Sequence, residues 1–199
     1  MKLKKMLLLL VVMVLVCSIS VTGTMAYLTA QTDVVTNTFV SASGLVTSLT
    51  LDESEAIPDT ATGLYTLNES ERVPGNEYTV LPGTTLKKDP TVHVIGRTTT
   101  PAFLYIEVVD TTGDNLEWKL ADGWSICADA VGPNSGIVYQ YTGTLNTGDT
   151  DIPIIKDNKV TASDTLDLGT GLTIKFYAYM AQSTIDGATT PGAIFNACF

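Results

Sequence analysis

Ala102-Phe103-Leu104-Tyr105-Ile106-Glu107-Val108-Val109 is the run that decides the fold. Eight residues rich in β-branched and aromatic side chains favour an extended, pleated backbone. Pro101 stands before the run and Asp110-Thr111-Thr112-Gly113 supplies a turn after it. Glu107 is its one charge, so both faces are expected to be covered over much of its length. A second strong run, Thr173-Ile174-Lys175-Phe176-Tyr177-Ala178-Tyr179-Met180, alternates instead. Ile174, Phe176, Ala178 and Met180 share one face. Lys175, Tyr177 and Tyr179 share the other, which is expected to be more solvated.

Weaker strand candidates lie on either side of these two. They are Gly44 to Leu51, Tyr78 to Leu81, Thr91 to Ile95, Asn115 to Leu120, Ile137 to Tyr141 and Ile152 to Ile155. Turn signals separate them: Pro74-Gly75-Asn76, Pro82-Gly83, Asp122-Gly123, Gly132-Pro133-Asn134 and Thr147-Gly148-Asp149. Short strands punctuated in this way predict an all-β, antiparallel sandwich. No amphipathic helix stands out, and Thr161 to Leu168 is the one place where a short helix fits. The polar, acidic segment Asp52 to Arg72 reads as a long loop or irregular edge. There is no internal repeat and no low-complexity tract.

The first 26 residues have the layout of a secretory signal. Lys2, Lys4 and Lys5 form a positive start, Met6 to Val16 an apolar run, and Ser18 to Ala26 a small and polar stretch ending in Thr24-Met25-Ala26. The apolar run is short for a bilayer span, which needs about 20 residues. Cysteine lipidation at Cys17 would want a small residue before it, and Val16 is not one. Cleavage between Ala26 and Tyr27 removes 26 of the 199 residues and leaves 173, enough for one domain with a sizeable core. The formal charge of −10 becomes −13 once the three lysines leave. So acidic a chain repels nucleic acid, and no nucleic-acid partner is expected.

Catalytic chemistry finds little footing. A protease zinc site usually takes two or three histidines with a glutamate base. This chain has one histidine, His93, alternating with apolar residues in Thr91-Val92-His93-Val94-Ile95. It reads as an exposed strand residue, without partners for zinc or for a nucleophilic triad. The acids Asp52, Glu53 and Glu55, and the pair Asp149 and Asp151, do not fit the calcium-loop pattern and read as solvated loop charge. No phosphate-binding glycine loop occurs. Hence no catalytic residue, cofactor or metal is assigned. Trp118 and Trp124 could build a sugar-stacking platform, but such aromatics more often fill a core. Cys127 and Cys198 can form a disulfide outside the cytoplasm or remain two thiols, and the sequence leaves both open.

Two regions carry a family resemblance. Gly23-Thr24-Met25-Ala26-Tyr27-Leu28-Thr29 is followed by Asn37-Thr38-Phe39-Val40, and Leu81-Pro82-Gly83-Thr84-Thr85-Leu86-Lys87-Lys88-Asp89-Pro90 forms a second block. Their order and spacing resemble the TasA/camelysin family of exported proteins of Gram-positive bacteria. Pro101 to Val109 and Gly171 to Gln182 resemble the strands that follow. The long lysine-rich C-terminal part of TasA has no counterpart here, and Cys127 and Cys198 are not part of the motif.

The resemblance implies a jelly-roll type of sandwich behind a cleavable signal helix, processing by a signal peptidase of the SipW type, and secretion to the cell surface or biofilm matrix. It also implies fibre assembly by donor-strand addition. The segment 27–40, nearly uncharged apart from Asp33, would provide the donor through Tyr27, Leu28, Val34, Val35, Phe39 and Val40. Cell-wall or matrix components are the further partners expected. Two alternatives remain: a monomeric surface adhesin or carbohydrate binder, and a camelysin-like metalloprotease. The same segment could instead pair within its own domain.

Overall fold

The computed structural model describes residues 28–30, 45–166 and 172–199. Residues 1–26, expected from the sequence to be a signal, lie outside them. The described chain is an antiparallel β-sandwich with one α-helix. In order come β1 (Leu28–Ala30), β2 (Ser48–Pro58), β3 (Tyr65–Val73), β4 (Tyr78–Val80), β5 (Thr85–Lys87), β6 (Thr91–Arg97) and β7 (Ala102–Asp110). After a single 3₁₀ turn come β8 (Leu116–Leu120), β9 (Trp124–Ile126), β10 (Ile137–Tyr141), β11 (Gly148–Pro153), β12 (Ile155–Ala162), β13 (Ile174–Gln182) and the helix α1 (Pro191–Cys198). Hydrogen bonding groups the strands as β13-β7-β10-β9, β11-β6-β2-β3, β5-β12-β8 and β1-β4.

The opening run is β7, and it is central. It pairs with β13 from Ala102↔Gln182 to Asp110↔Ile174, and with β10 on its other side. Leu104 to Val108 are buried without a break, so both faces are covered. On one face, Leu104, Ile106 and Val108 join Ile174, Phe176, Ala178 and Met180 of β13. Leu49 and Leu51 of β2, Val92 and Val94 of β6, and Leu86, Leu116 and Val160 of the three-stranded sheet complete this main core. The alternation predicted for β13 holds. Its outer face is drier than expected, because α1 lies on it. Tyr105, Cys127, Val138, Tyr179 and Ala181 pack there against Ile194 and Phe195 in a second, smaller core. Phe195 meets Tyr105 and Tyr179 edge-on at 5.2 Å.

Glu107 is fully buried on that outer face and forms no ion pair with a cation among the described residues. Backbone N–H groups of Asn134 and Gly136 donate to its Oε1, each at 2.8 Å. Asn134 Nδ2 and the Tyr179 hydroxyl donate to its Oε2, each at 2.9 Å. The β9–β10 loop therefore folds around a carboxylate. A Cβ at Gly132 would stand 2.3 Å from Glu107 Oε1, and one at Gly136 would stand 2.6 Å from the Val108 carbonyl oxygen. Both approaches need glycine. Burial, then the Glu107 carboxylate, pushes the Tyr179 hydroxyl well above its usual range.

Three expectations need correction. Of the two readings of Asp52 to Arg72, the loop fails and the irregular edge holds: the segment carries most of the β2–β3 hairpin, paired from Glu53↔Val73 to Pro58↔Tyr65 with a bulge after Ser54, and β3 is the edge strand of its sheet. Some of the segment's polar residues take partners across the strands, as in Asn68 Nδ2 to Glu55 Oε2 at 3.2 Å, and Glu53 and Ser54 are buried, while most of the polar side chains of β3 are exposed. Thr161 and Ala162 end β12 and residues 163–166 turn, while 167–168 lie outside the described residues. The helix is α1 instead. Thr190 caps it by accepting from Ala193 N at 3.1 Å, and Pro191 opens its first turn. At eight residues it is too short to show a clear period. Finally, Ile152 to Ile155 straddles a bend between β11 and β12.

Removing the Glu107 carboxylate strands buried donors. Glu107→Ala is expected to destabilise the domain by roughly 3 kcal/mol or more. A urea titration followed by tryptophan fluorescence measures it.

Candidate assembly edge and charge network

β4 is three residues long, and β1 pairs with it antiparallel: Leu28↔Val80, Thr29↔Thr79 and Ala30↔Tyr78. These two strands form a ribbon apart from the larger sheets. Thr79 N donates to the Tyr65 hydroxyl at 2.7 Å, so that N–H is not spent on β1. Tyr78 and Val80 are buried and fix β4 to the main core. Leu28, one of the assembly residues read from the sequence, thus lies on β4 of its own chain. The other assembly residues read from the sequence, Tyr27, Val34, Val35, Phe39 and Val40, lie outside the described residues, as does the Ala26–Tyr27 junction.

Beside β4 runs a network of charges that sequence reading scattered over loops. Glu53 and Lys88 form an ion pair at 2.7 Å, with side chains 1% and 4% exposed. Glu53 Oε1 also accepts from Asn76 N at 2.7 Å. The Lys88 ammonium sits 5.5 Å from the centre of the Tyr78 ring, a cation–π distance. Burial, then the charges of Glu53 and Asp89, drive the Tyr78 hydroxyl far above its normal range. At the β2 bulge Asn76 imitates a strand: its amide donates to Ser54 O at 2.8 Å and accepts from Ala56 N at 2.7 Å.

Arg72 extends the network outward. Its Nε meets Asp52 Oδ1 at 2.6 Å and its Nη1 meets Asp89 Oδ2 at 3.0 Å. Asp89 also accepts from the backbone N and hydroxyl of Ser54. His93 is no free strand residue. Its Nδ1 lies 2.6 Å from Asp151 Oδ1 and its Nε2 2.9 Å from Asp52 Oδ1. A neutral imidazole carries one N–H and serves one carboxylate, whereas the imidazolium serves both. Asp149 accepts from Gly96 N at 2.8 Å. Glu53 corrects the solvated-loop reading outright, and its signal was the strand alternation with Leu49 and Leu51. Among the described residues no group of three or more His, Cys, Asp or Glu side chains is placed to hold a metal ion.

The two tryptophans do not make a common platform. Trp124 is buried in the main core, donates to Pro153 O at 2.9 Å and meets Tyr141 edge-on. Trp118 is half-buried, edge-on to Phe176 at 5.7 Å, and donates to Asp110 Oδ2 at 2.8 Å. Cys127 and Cys198 are free thiols: Cys127 is buried in the smaller core and Cys198, the last residue of α1, packs against it. Burial pushes both thiols up from their ordinary value, and the Asp129 charge adds to the shift at Cys127.

Comparison with known proteins returned no matching family model, no similar curated protein and no similar solved structure.

Two outcomes follow from this geometry. Lys88→Met leaves the Glu53 carboxylate buried without its cation and should cost roughly 3–5 kcal/mol. Adding Glu53→Gln should return part of that in a urea double-mutant cycle. Thiol alkylation of the folded protein should lag behind that of free cysteine at neutral pH. Its rate should climb only at higher pH, because a raised thiol pKa delays the reactive thiolate.

Proposed function

We propose that the mature chain is a secreted structural subunit of a bacterial surface or biofilm matrix, of the TasA/camelysin type, with a jelly-roll sandwich. Subunits join into fibres when the freed N-terminal segment of one adds as a strand to the next. The observation that carries this reading is the β1–β4 ribbon. Three residues just past the signal junction use one short strand as their partner. Antiparallel pairing of backbone groups is indifferent to which copy supplies the strand. Made within one chain it caps the edge. Made between chains it is a head-to-tail contact that does not close, and repetition gives a filament. The acidic, apolar-cored sandwich suits export of a soluble subunit ahead of assembly.

A second reading, a monomeric surface adhesin, is favoured by the same pairing made within one copy. Cysteine cross-linking separates them. Thr29 and Thr79 face each other where Thr79 N points away from β1, the closely spaced kind of pair that a disulfide can bridge. In a Cys127→Ala, Cys198→Ala background, Thr29→Cys with Thr79→Cys should oxidise to a ladder of covalent multimers in assembled material. A cross-linked monomer alone, together with monodisperse particles in electron micrographs, would refute fibre assembly. Deleting 27–40 should abolish polymers while the far-ultraviolet β-spectrum persists.

A further inference from the structure

The basic residues are distributed unevenly. The sequence has eleven Lys and Arg, three of them in the signal segment, against twenty-one Asp and Glu. Four of the remaining eight, Lys87, Lys119, Lys156 and Lys159, stand exposed on the three-stranded sheet β5-β12-β8. Lys87 and Lys159 are directly opposite each other across β5 and β12. Like charges in that position repel and cost stability. Acids are abundant in this chain, yet neither lysine has an ion-pair partner among the described residues.

The neighbouring strands build a hollow next to this pair. Pairing of β12 with β8 slips between Ile155↔Leu120 and Val160↔Trp118. The extra residues turn through Asp157 and Asn158, at φ 57° and 53°, a left-handed pair that suits Asp and Asn better than most side chains. The bend sets Lys156 and Lys159 over an open hollow of about 350 Å³. Glu117, Trp118, Lys119, Asp157 and Thr161 complete the lining. Three lysines and a threonine thus line a space that fits one or two sugar units, while the Trp118 indole turns to the core side of the sheet, against Phe176. Two of the lysines are partly answered: Lys156 meets Asp122 at 3.1 Å, and Lys119 meets Glu117 at 4.0 Å. Both contacts are exposed and weak.

We infer that this face binds an anionic glycan, a flexible polymer of sugar or polyol units bearing carboxylate or phosphodiester groups. Neighbouring strands lie about 4.8 Å apart, so lysines on adjacent strands can take successive charged groups of one chain. Thr161 adds a hydroxyl partner on the same face. Charge complementarity is local. A flexible polymer engages the lysine face alone, whereas a stiff duplex would lie against the acidic remainder and be repelled. The inference does not depend on fibre assembly, since a monomer would present the same face.

The test is retention of the mature protein on immobilised polygalacturonate, poly(glycerol phosphate), neutral dextran and duplex DNA in low salt. Retention on one or both anionic glycans, lost on adding salt, is expected. Retention on one alone identifies carboxylate or phosphodiester as the recognised group. Lys87→Gln with Lys159→Gln should weaken binding by about fivefold or more with a melting temperature that does not fall, since a repulsion is relieved, and Lys175→Gln, on β13, should leave binding unchanged. No retention on either anionic glycan, equal retention on dextran or on DNA, or an equal loss with Lys175→Gln would overturn it.

Discussion

Strand β7 must be dry on both faces, and the rest of the molecule is arranged to make it so. Leu104, Ile106 and Val108 demand one cover, and Tyr105 demands another. The main core supplies the first by drawing β2, β6 and the three-stranded sheet over it. The second cannot come from another sheet, because the strands are already spent. A short helix does it, placing Ile194 and Phe195 on Tyr105 and Tyr179. A β-sandwich thus carries a short α-helix where an outer face would otherwise leave aromatic surface in water.

Most polar groups inside this architecture are answered by a partner of suitable kind, Arg97 Nε and Thr150 Oγ1 being the buried exceptions among the described residues. Glu53 receives Lys88 and a backbone N–H. Asp89 receives Ser54 and Arg72. Asn76 supplies both a donor and an acceptor where the β2 bulge interrupts the ladder. Taken together these contacts tie β2, β3, and the links before β4 and β6 into one unit. That unit backs the short strand β4 on which β1 lies. Charge pairs give that strand an orientation that apolar contact alone does not.

The two strongest strands and the sandwich class were legible because their side chains alternate or run apolar over eight residues. The β2–β3 hairpin was not, since Asp52-Glu53-Ser54-Glu55 looks like surface until Lys88, Arg72 and Asp89 arrive from later in the chain. Pairs made across 17 to 35 positions leave no local pattern to read. β5 and β9, at three residues each, are too short for periodicity. The helix was announced by Thr190-Pro191, a good start signal, but too few residues followed it. His93 was placed on the right strand and given the wrong surroundings, because Asp52 and Asp151 come from β2 and β11. The lysine face was hidden for a related reason: Lys87, Lys119 and Lys159 are far apart in sequence, and only strand register brings them together.

Glu107 shows a different way to keep a charge indoors. Its neutralisation comes from fixed dipoles, two backbone N–H groups, an amide and a phenol, and from no counter-charge. Dipoles held that close and that dry are scarcely touched by mobile ions, whereas the half-exposed couplings around His93 lie within their reach. The β9–β10 loop should therefore hold its shape across fresh and briny surroundings alike, leaving salinity to act on the outer rim of the molecule and not on its closure.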